Sequence, residues 1–519
     1  MKKFFKIVGI LFLAFIAGAF IWMYSNLKDQ HSDYKADMKV IGGNSGQLSA
    51  GFAAVKITPE VPDRWTDANG DAKYNPKDGD TFTDGNGNDQ FDPVWIAGFS
   101  NSKAANGIHD DLWARTMIVD DGKTRLAIVS LDVIGFMNND VIDLRHLIPA
   151  EAGVTYAIIA STHTHEGPDL IGLWGETPFK SGINPTYMEY VKKQAINSIV
   201  AAVKNLRPAK FTLAEELTEA IPLVKDTRTP IVYDSGIRMI KAIDHETGAT
   251  LGSLCGWANH PETLWSKNLL ITSDYPHYIR EGIEKGVFKA DSLVKPGIGG
   301  ICVFMNGALG GLMCTHPSLA VKDPFTGQDY KEPSYEKAEA LGKQFSLLAL
   351  SALERATDTI HSGSISLVVK SLALPIENQL FRLATALGVM HRGTTGWMKM
   401  RSEISTVQIG PISMVTIPGE IYPELVNGGV EAPEGNDFGV LPQEIPAIRD
   451  MMPGKYKFVF GLANDEIGYI IPKSQWDVDA PYTYNRKDSP YGEENSLGPE
   501  TAFILHKNLQ EIISELPAK

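Results

Sequence analysis

Hydrophobic positions along this chain fall into three patterns, and each predicts a different kind of element. The first is an unbroken apolar run from Ile7 to Tyr24, preceded by Lys2, Lys3 and Lys6. A helix of that length reaches roughly 27 Å, close to the hydrocarbon thickness of a bilayer. The basic flank is expected to stay inside, with Trp22 and Tyr24 at the outer interface. A cleaved signal peptide is the rival, because Ala17-Gly18-Ala19 is a passable cleavage site. Cleavage there would leave Phe20–Tyr24 exposed at a new terminus, so residues 1–24 are read as an uncleaved transmembrane anchor. Residues 25–46 are polar and read as a tether. The folded domain is expected over 47–519.

The second pattern is short apolar runs that end at Pro, Gly or Asn, which predicts strands. Ala50–Thr58 is the first of these. A hairpin follows over 112–119 and 126–132, turned at Asp120-Asp121-Gly122-Lys123. Further strands are expected at 156–160, 236–244, 250–258, 299–305, 412–417 and 455–462. The third pattern is apolar spacing of three and four, which predicts helices over about 139–147, 185–206, 334–356 and 498–515. Strands mixed with helices in this way give an α/β fold with a mixed sheet.

Candidate chemistry gathers at the strand ends. Tyr156–Ala160 runs into Ser161-Thr162-His163-Thr164-His165-Glu166-Gly167-Pro168. Two histidines at i and i+2 on an extended backbone face the same side. Thr250–Ala258 runs into Asn259-His260-Pro261-Glu262-Thr263, and 412–417 into Pro418-Gly419-Glu420. In α/β sheets ligands collect where strand ends converge. Two neutral imidazoles and a carboxylate form a zinc set with room for water or substrate, which suits metal-assisted hydrolysis. Spacing alone does not choose which histidines bind. No HExxH helix is present.

Charge and cysteine content narrow the picture further. A formal charge of −14 speaks against nucleic acid as a partner. Cys255, Cys302 and Cys314 lie in apolar runs without metal-ligand spacing, and are read as core residues. Within an insert at 63–93, Asp67, Asn69 and Asp71, then Asp84, Asn86 and Asn88, form two D-x-N-x-[DN] runs. Alternating oxygens in Gly-rich loops suit Ca2+ in a structural role, although neither run has the Glu that completes an EF-hand loop.

The ordered motifs GIHDD, STHTHEGPD, TRTP, NHPET, ITSDY, PGE, GLANDEIGY and SPYGEENSLGPET resemble the catalytic domain of the neutral (non-lysosomal) ceramidases. The resemblance covers roughly residues 50–515, without the immunoglobulin-like domain of family members. It implies a zinc-dependent amidohydrolase that uses metal-activated water on the N-acyl amide of ceramide or a related lipid. By motif, His163, His260, Glu420 and Tyr469 would hold Zn2+. His165, Arg228 and Tyr491 would meet the substrate or its oxyanion. Met313 stands where the family has an active-site serine, so a serine nucleophile is excluded there and the substrate pocket is altered. The reading is of an exported, membrane-anchored enzyme working in the periplasm or outside the cell. A hydrolase of another amide or ester, or a catalytically silent surface binding protein, are the alternatives.

Overall fold

The strand-length runs pair into two large sheets that pack face to face. In the computed structural model, residues 1–311, 313–488 and 490–517 are described; Leu312, Ser489, the last two residues and the Lys2 side chain lie outside that description. The larger sheet is mixed and runs in the order Ile301–Asn306, Thr250–Trp257, Ile237–Asp244, Arg207–Glu216, Ser49–Lys56, Trp113–Asp120, Arg125–Leu131, Tyr156–Ser161. Asp358–Ile360 adds to Arg207–Glu216. The smaller sheet runs Met38–Val40, Ile365–Pro375, Lys399–Ile409, Ile412–Thr416, Tyr456–Phe460.

Helices α2 (Asn138–Leu147), α3 (Pro185–Lys204), α4 (Tyr275–Glu284), α5 (Tyr335–Arg355) and α6 (Gln379–Ala386) surround them, with a C-terminal helix at Thr501–Ser514, while α1 (Lys2–Leu27) is largely exposed and packs against α6. Phe52, Met117, Ile128 and Leu254 of the larger sheet share one core with Leu367, Val407, Met414 and Phe458 of the smaller. On the far side of the larger sheet, Val191, Ala195 and Ile199 of α3 cover Ala114, Ile118 and Val129, beside α4 and α5. Leu505 and Leu509 of the C-terminal helix cover Val368, Ile404 and Val415. The result is four layers, helix–sheet–sheet–helix, each burying the face its apolar pattern demands.

The expected helices and strands are present within a few residues of their predicted limits. Local capping explains several of the starts: Asn184 accepts from Thr186 N and Tyr187 N ahead of Pro185, and Ser334 accepts from Lys337 N. The three cysteines are free and buried. Two long strands, Ile365–Pro375 and Lys399–Ile409, were not anticipated, nor was Arg207–Glu216.

The tether expected at 25–46 is corrected by the structure. Met38–Val40 pairs with Leu367–Val369, and Gly46–Gln47 with Ser362–Gly363. Asp29 holds Arg401 at 2.5 Å, and Arg145 donates to the Tyr34 hydroxyl at 3.0 Å. The domain therefore begins directly after α1, because partners more than 300 residues away in sequence supply what this polar segment lacks locally.

Candidate metal centre

Three pairs of parallel strands bring their C-terminal ends together: 125–131 with 156–161, 250–257 with 301–306, and 412–416 with 456–460. Just beyond their ends the two sheets are stitched together. Ser161 N donates to Leu462 O, Gly461 N to Asn306 O, and Asn306 Nδ2 to both Thr162 O and Asn259 O. Side chains leaving these ends have nowhere to go except a shared buried crevice.

His163 and His165 do meet there, by a different route from the one expected. The strand stops at Ser161, and His163 adopts φ 70°, a left-handed conformation. The chain thus folds back between the two histidines, and their ring centroids end 4.8 Å apart. His163 Nδ1 donates to Ile134 O at 2.6 Å, leaving Nε2 3.6 Å from a Glu420 oxygen. His260 repeats the arrangement: Nδ1 donates to Met313 O at 2.9 Å, and Nε2 lies 2.9 Å from the same Glu420 oxygen. Backbone carbonyls behind Nδ1 fix both tautomers with Nε2 aimed inward, which is how proteins orient imidazoles toward a metal.

Glu420 and Tyr469 arrive as partners in a short parallel bridge, and the Tyr469 hydroxyl hydrogen-bonds the Glu420 carboxylate. The Gly-rich loop passes so close behind Glu420 that a Cβ at Gly310 would fall 2.1 Å from Glu420 O. Gly98, at φ 111°, likewise leaves room for the His165 ring, 2.6 Å from where its Cβ would be.

One nitrogen from each of His163, His165 and His260 lies within 4.8 Å of the others. Among the described residues neither His165 nitrogen has a hydrogen-bond partner, although the residue is buried. Burial pushes His163 down to about 4 and His165 well below its usual range, so both stay neutral with free lone pairs. Burial opposes charge on His260 and Glu420 too, but each favours the ionised form of the other: His260 is raised and Glu420 lowered. A divalent cation fits this donor set, since it would replace the proton that His260 and Glu420 hold between them, while the orphaned His165 leaves a neutral nitrogen free beside it.

A buried acidic shell lies behind the histidines, and the sequence reading did not single it out. Glu262 sits 3.5 Å from His165 Nδ1, raised to about 7 by burial, and the Cys314 thiol hydrogen-bonds to it. Glu166 pairs with the wholly buried Lys103 at 3.2 Å and is raised to about 8, again by burial first. Glu466 leaves one oxygen orphaned beside the cavity. Glu166, Glu262 and Glu466 lie inside the histidine and tyrosine motifs, which was the available signal. Lys103 stands in a polar loop that carries none.

His163, His165 and Glu420 line a narrow cavity of about 70 Å3, walled by Ile134, Ile171, Leu173, Trp174, Phe381 and Met390. Tyr491 stands at its edge, 54% exposed, its ring 5.9 Å from that of Tyr469. Arg228 is not among the lining residues: its guanidinium binds Glu424 at 2.5 Å and stacks 4.0 Å over the Tyr422 ring. Met313 is not among them either. It is wholly buried in the core beneath the larger sheet, and its sulfur accepts from Asp234 N at 3.4 Å. The pocket role expected for the Met313 side chain is therefore corrected; its carbonyl serves the site by holding His260.

Asp67, Asn69, Asp71, Asp84, Asn86 and Asn88 stand elsewhere, on two loops flanking the small hairpin Arg64–Thr66/Thr81–Thr83. Their side-chain oxygens accept from backbone amides of their own loops. Asp80 anchors the first loop through Ala68 N, and Asp63 the second through Gly85 N.

No protein-family model matches the sequence. Among solved structures, the chain is similar to neutral ceramidase from Pseudomonas aeruginosa, with a TM-score of 0.62 at 15% identity over 91% of this chain and 75% of that one. A structure described as a ceramidase complexed with C2 matches with the same TM-score and identity, over 91% of this chain and 76% of that one. The chain has the fold of the neutral ceramidases.

Proposed function

We propose that the protein is an exported, membrane-anchored zinc amidohydrolase acting on the N-acyl amide of ceramide or a related lipid. The observation that carries this reading is the convergence of His163 and His260, both locked through Nδ1, on one oxygen of Glu420, with orphaned His165 beside them. His163, His260, Glu420 and Tyr469 would hold the metal. A zinc ion bound there supplies Lewis acidity, polarising an amide carbonyl and lowering the pKa of water toward neutrality.

The chain's own residues do the rest. The apolar wall excludes bulk water and accepts the methylenes next to the amide. His165, held neutral by burial and packed against Gly98, would turn a nitrogen to the reacting carbonyl, with the Glu262 carboxyl 3.5 Å from its Nδ1. Tyr491, raised to about 12 chiefly by burial, keeps its proton and donates it as a hydrogen bond to the oxyanion. Donors of this kind contribute about 3–4 kcal/mol each to the transition state. Arg228 braces Tyr422 and Glu424, just after Glu420 in the chain. Calcium in the two Asx loops is kept as a structural role, tested by its effect on thermal stability.

The test is amine release from a short-chain ceramide by the full chain, beside His163→Ala and His260→Ala, with bound zinc counted in each. Release and zinc in the parent, both lost in the variants, support the reading. Zinc without release points to another amide or ester. A parent without zinc refutes the mechanism.

A further inference from the structure

Helix α6 packs directly against α1. Burial shows which face of α1 is covered: along a helix that is otherwise exposed, Ile16, Ala19, Met23, Asn26 and Leu27 are partly shielded. These positions recur at spacings of three and four, so they form one stripe. The stripe reaches back into the apolar run by roughly 16 Å from the helix end at 1.5 Å per residue. The last turn is also hydrogen-bonded in place. Asn26 Nδ2 donates to Ala386 O at 3.0 Å, and Thr394 donates to Leu27 O through both N and Oγ1.

The partner helix is amphipathic in an unusual sense. Phe381 turns inward and lines the cavity with His163 and His165, as does Met390 just beyond the helix. The opposite face leaves Leu380 68% and Leu383 45% exposed, and the loop that follows leaves Trp397 83% exposed. Lys28 and Lys399 stand exposed at the same end. Large apolar side chains in a contiguous patch mark an interaction surface. Here the patch adjoins a helix long enough to cross a bilayer, beside that helix's outer half. Tryptophan suits the interface, leucine the acyl region, and lysine the lipid phosphates.

We propose that α6 and the loop to Trp397 are immersed in the outer leaflet of the bilayer crossed by α1. The occupant of this patch is therefore lipid, and the catalytic cavity opens through α6 to the acyl phase. The proposal rests on the anchor part of the proposed function and not on the metal or the reaction.

The experiment uses the full chain in phosphatidylcholine nanodiscs that contain a nitroxide-labelled phosphatidylcholine. A single cysteine replaces Leu380, Leu383 or Trp397 and carries an environment-sensitive fluorophore; the three native cysteines are buried and do not compete. Phe12→Cys, inside the span, and Leu293→Cys, half-exposed on the Gly286–Lys289/Ser292–Pro296 hairpin, are the references. Quenching at 380, 383 and 397 several-fold above that at 293 is expected. Quenching at 12 with none at these three above 293 overturns the proposal and leaves α1 a simple anchor. Equal quenching at 293 also overturns it, as does no quenching at 12, which removes the anchor as well. Zinc content and amine release are independent of all these outcomes, so a failure of the hydrolase reading is recognised separately.

Discussion

Asn306 offers the sharpest test of how the site is built. Its side chain is wholly buried and joins the ends of three strands. Nδ2 donates to Thr162 O and Asn259 O, both at 2.9 Å, while Oδ1 accepts from Asn259 N at 3.1 Å and Gly307 N at 3.0 Å. Two of these four partners have other bonds: Asn259 O accepts from the Tyr275 hydroxyl, and Gly307 N donates to Trp257 O. Asn306→Ala therefore orphans Thr162 O and Asn259 N. A buried unsatisfied group costs about 1–3 kcal/mol, so the pair costs about 2–6 kcal/mol. Against a typical stability of about 5–15 kcal/mol the variant still folds, but with a much lower urea midpoint. Thr162 and Asn259 flank His163 and His260, so bound zinc is expected to fall with stability. Asn306→Asp keeps the acceptor but sets it against two carbonyls, and is expected to be no better than alanine. Urea unfolding in detergent, followed by tryptophan fluorescence, together with a zinc count, reads both effects. An Asn306→Ala protein within about 1 kcal/mol of the parent and fully loaded would refute the idea that this amide holds the site.

Three further expectations follow from single contacts. Gly310→Ala places a Cβ 2.1 Å from Glu420 O, so a folded protein with reduced metal content is expected on elemental analysis; normal loading would contradict the close approach. Met313→Ser is expected to cost about 2–5 kcal/mol by opening a core cavity without raising amide hydrolysis, and a gain in activity would show that the side chain reaches the pocket. Burial raises the Asp274 carboxyl from 3.8 to about 6. The folded state then holds a proton that the unfolded chain has lost, so the contribution is present below 3.8 and disappears as pH rises toward 6. Asp274→Asn keeps an acceptor for Tyr275 N and should flatten that part of the stability curve; an unchanged slope would assign the effect to another group.

The histidine and glutamate positions were legible because each follows an apolar run of strand length and precedes a breaker. Their convergence was not. It depends on two sheets packing face to face and on the positive φ of His163, neither of which has a periodic signature. Residues 25–46 read as a tether because a three-residue strand such as Met38–Val40 is too short to show alternation. Lys103 reads as a loop lysine until Glu166 is brought beside it. The motif fixes the place of Met313 along the chain, but the direction of its side chain belongs to the backbone of the Gly-rich loop.

The pairing of Met38–Val40 with Leu367–Val369 also sets the order of events during synthesis. The earliest strand to emerge waits for a partner made roughly 330 residues later, which at about 5–20 residues per second is on the order of tens of seconds. Lys39 then meets Glu515, at 3.0 Å, just beyond the last helix. The smaller sheet thus cannot close until its last strand, Tyr456–Phe460, has been translated. Throughout that interval an unpaired strand sits a dozen residues from α1.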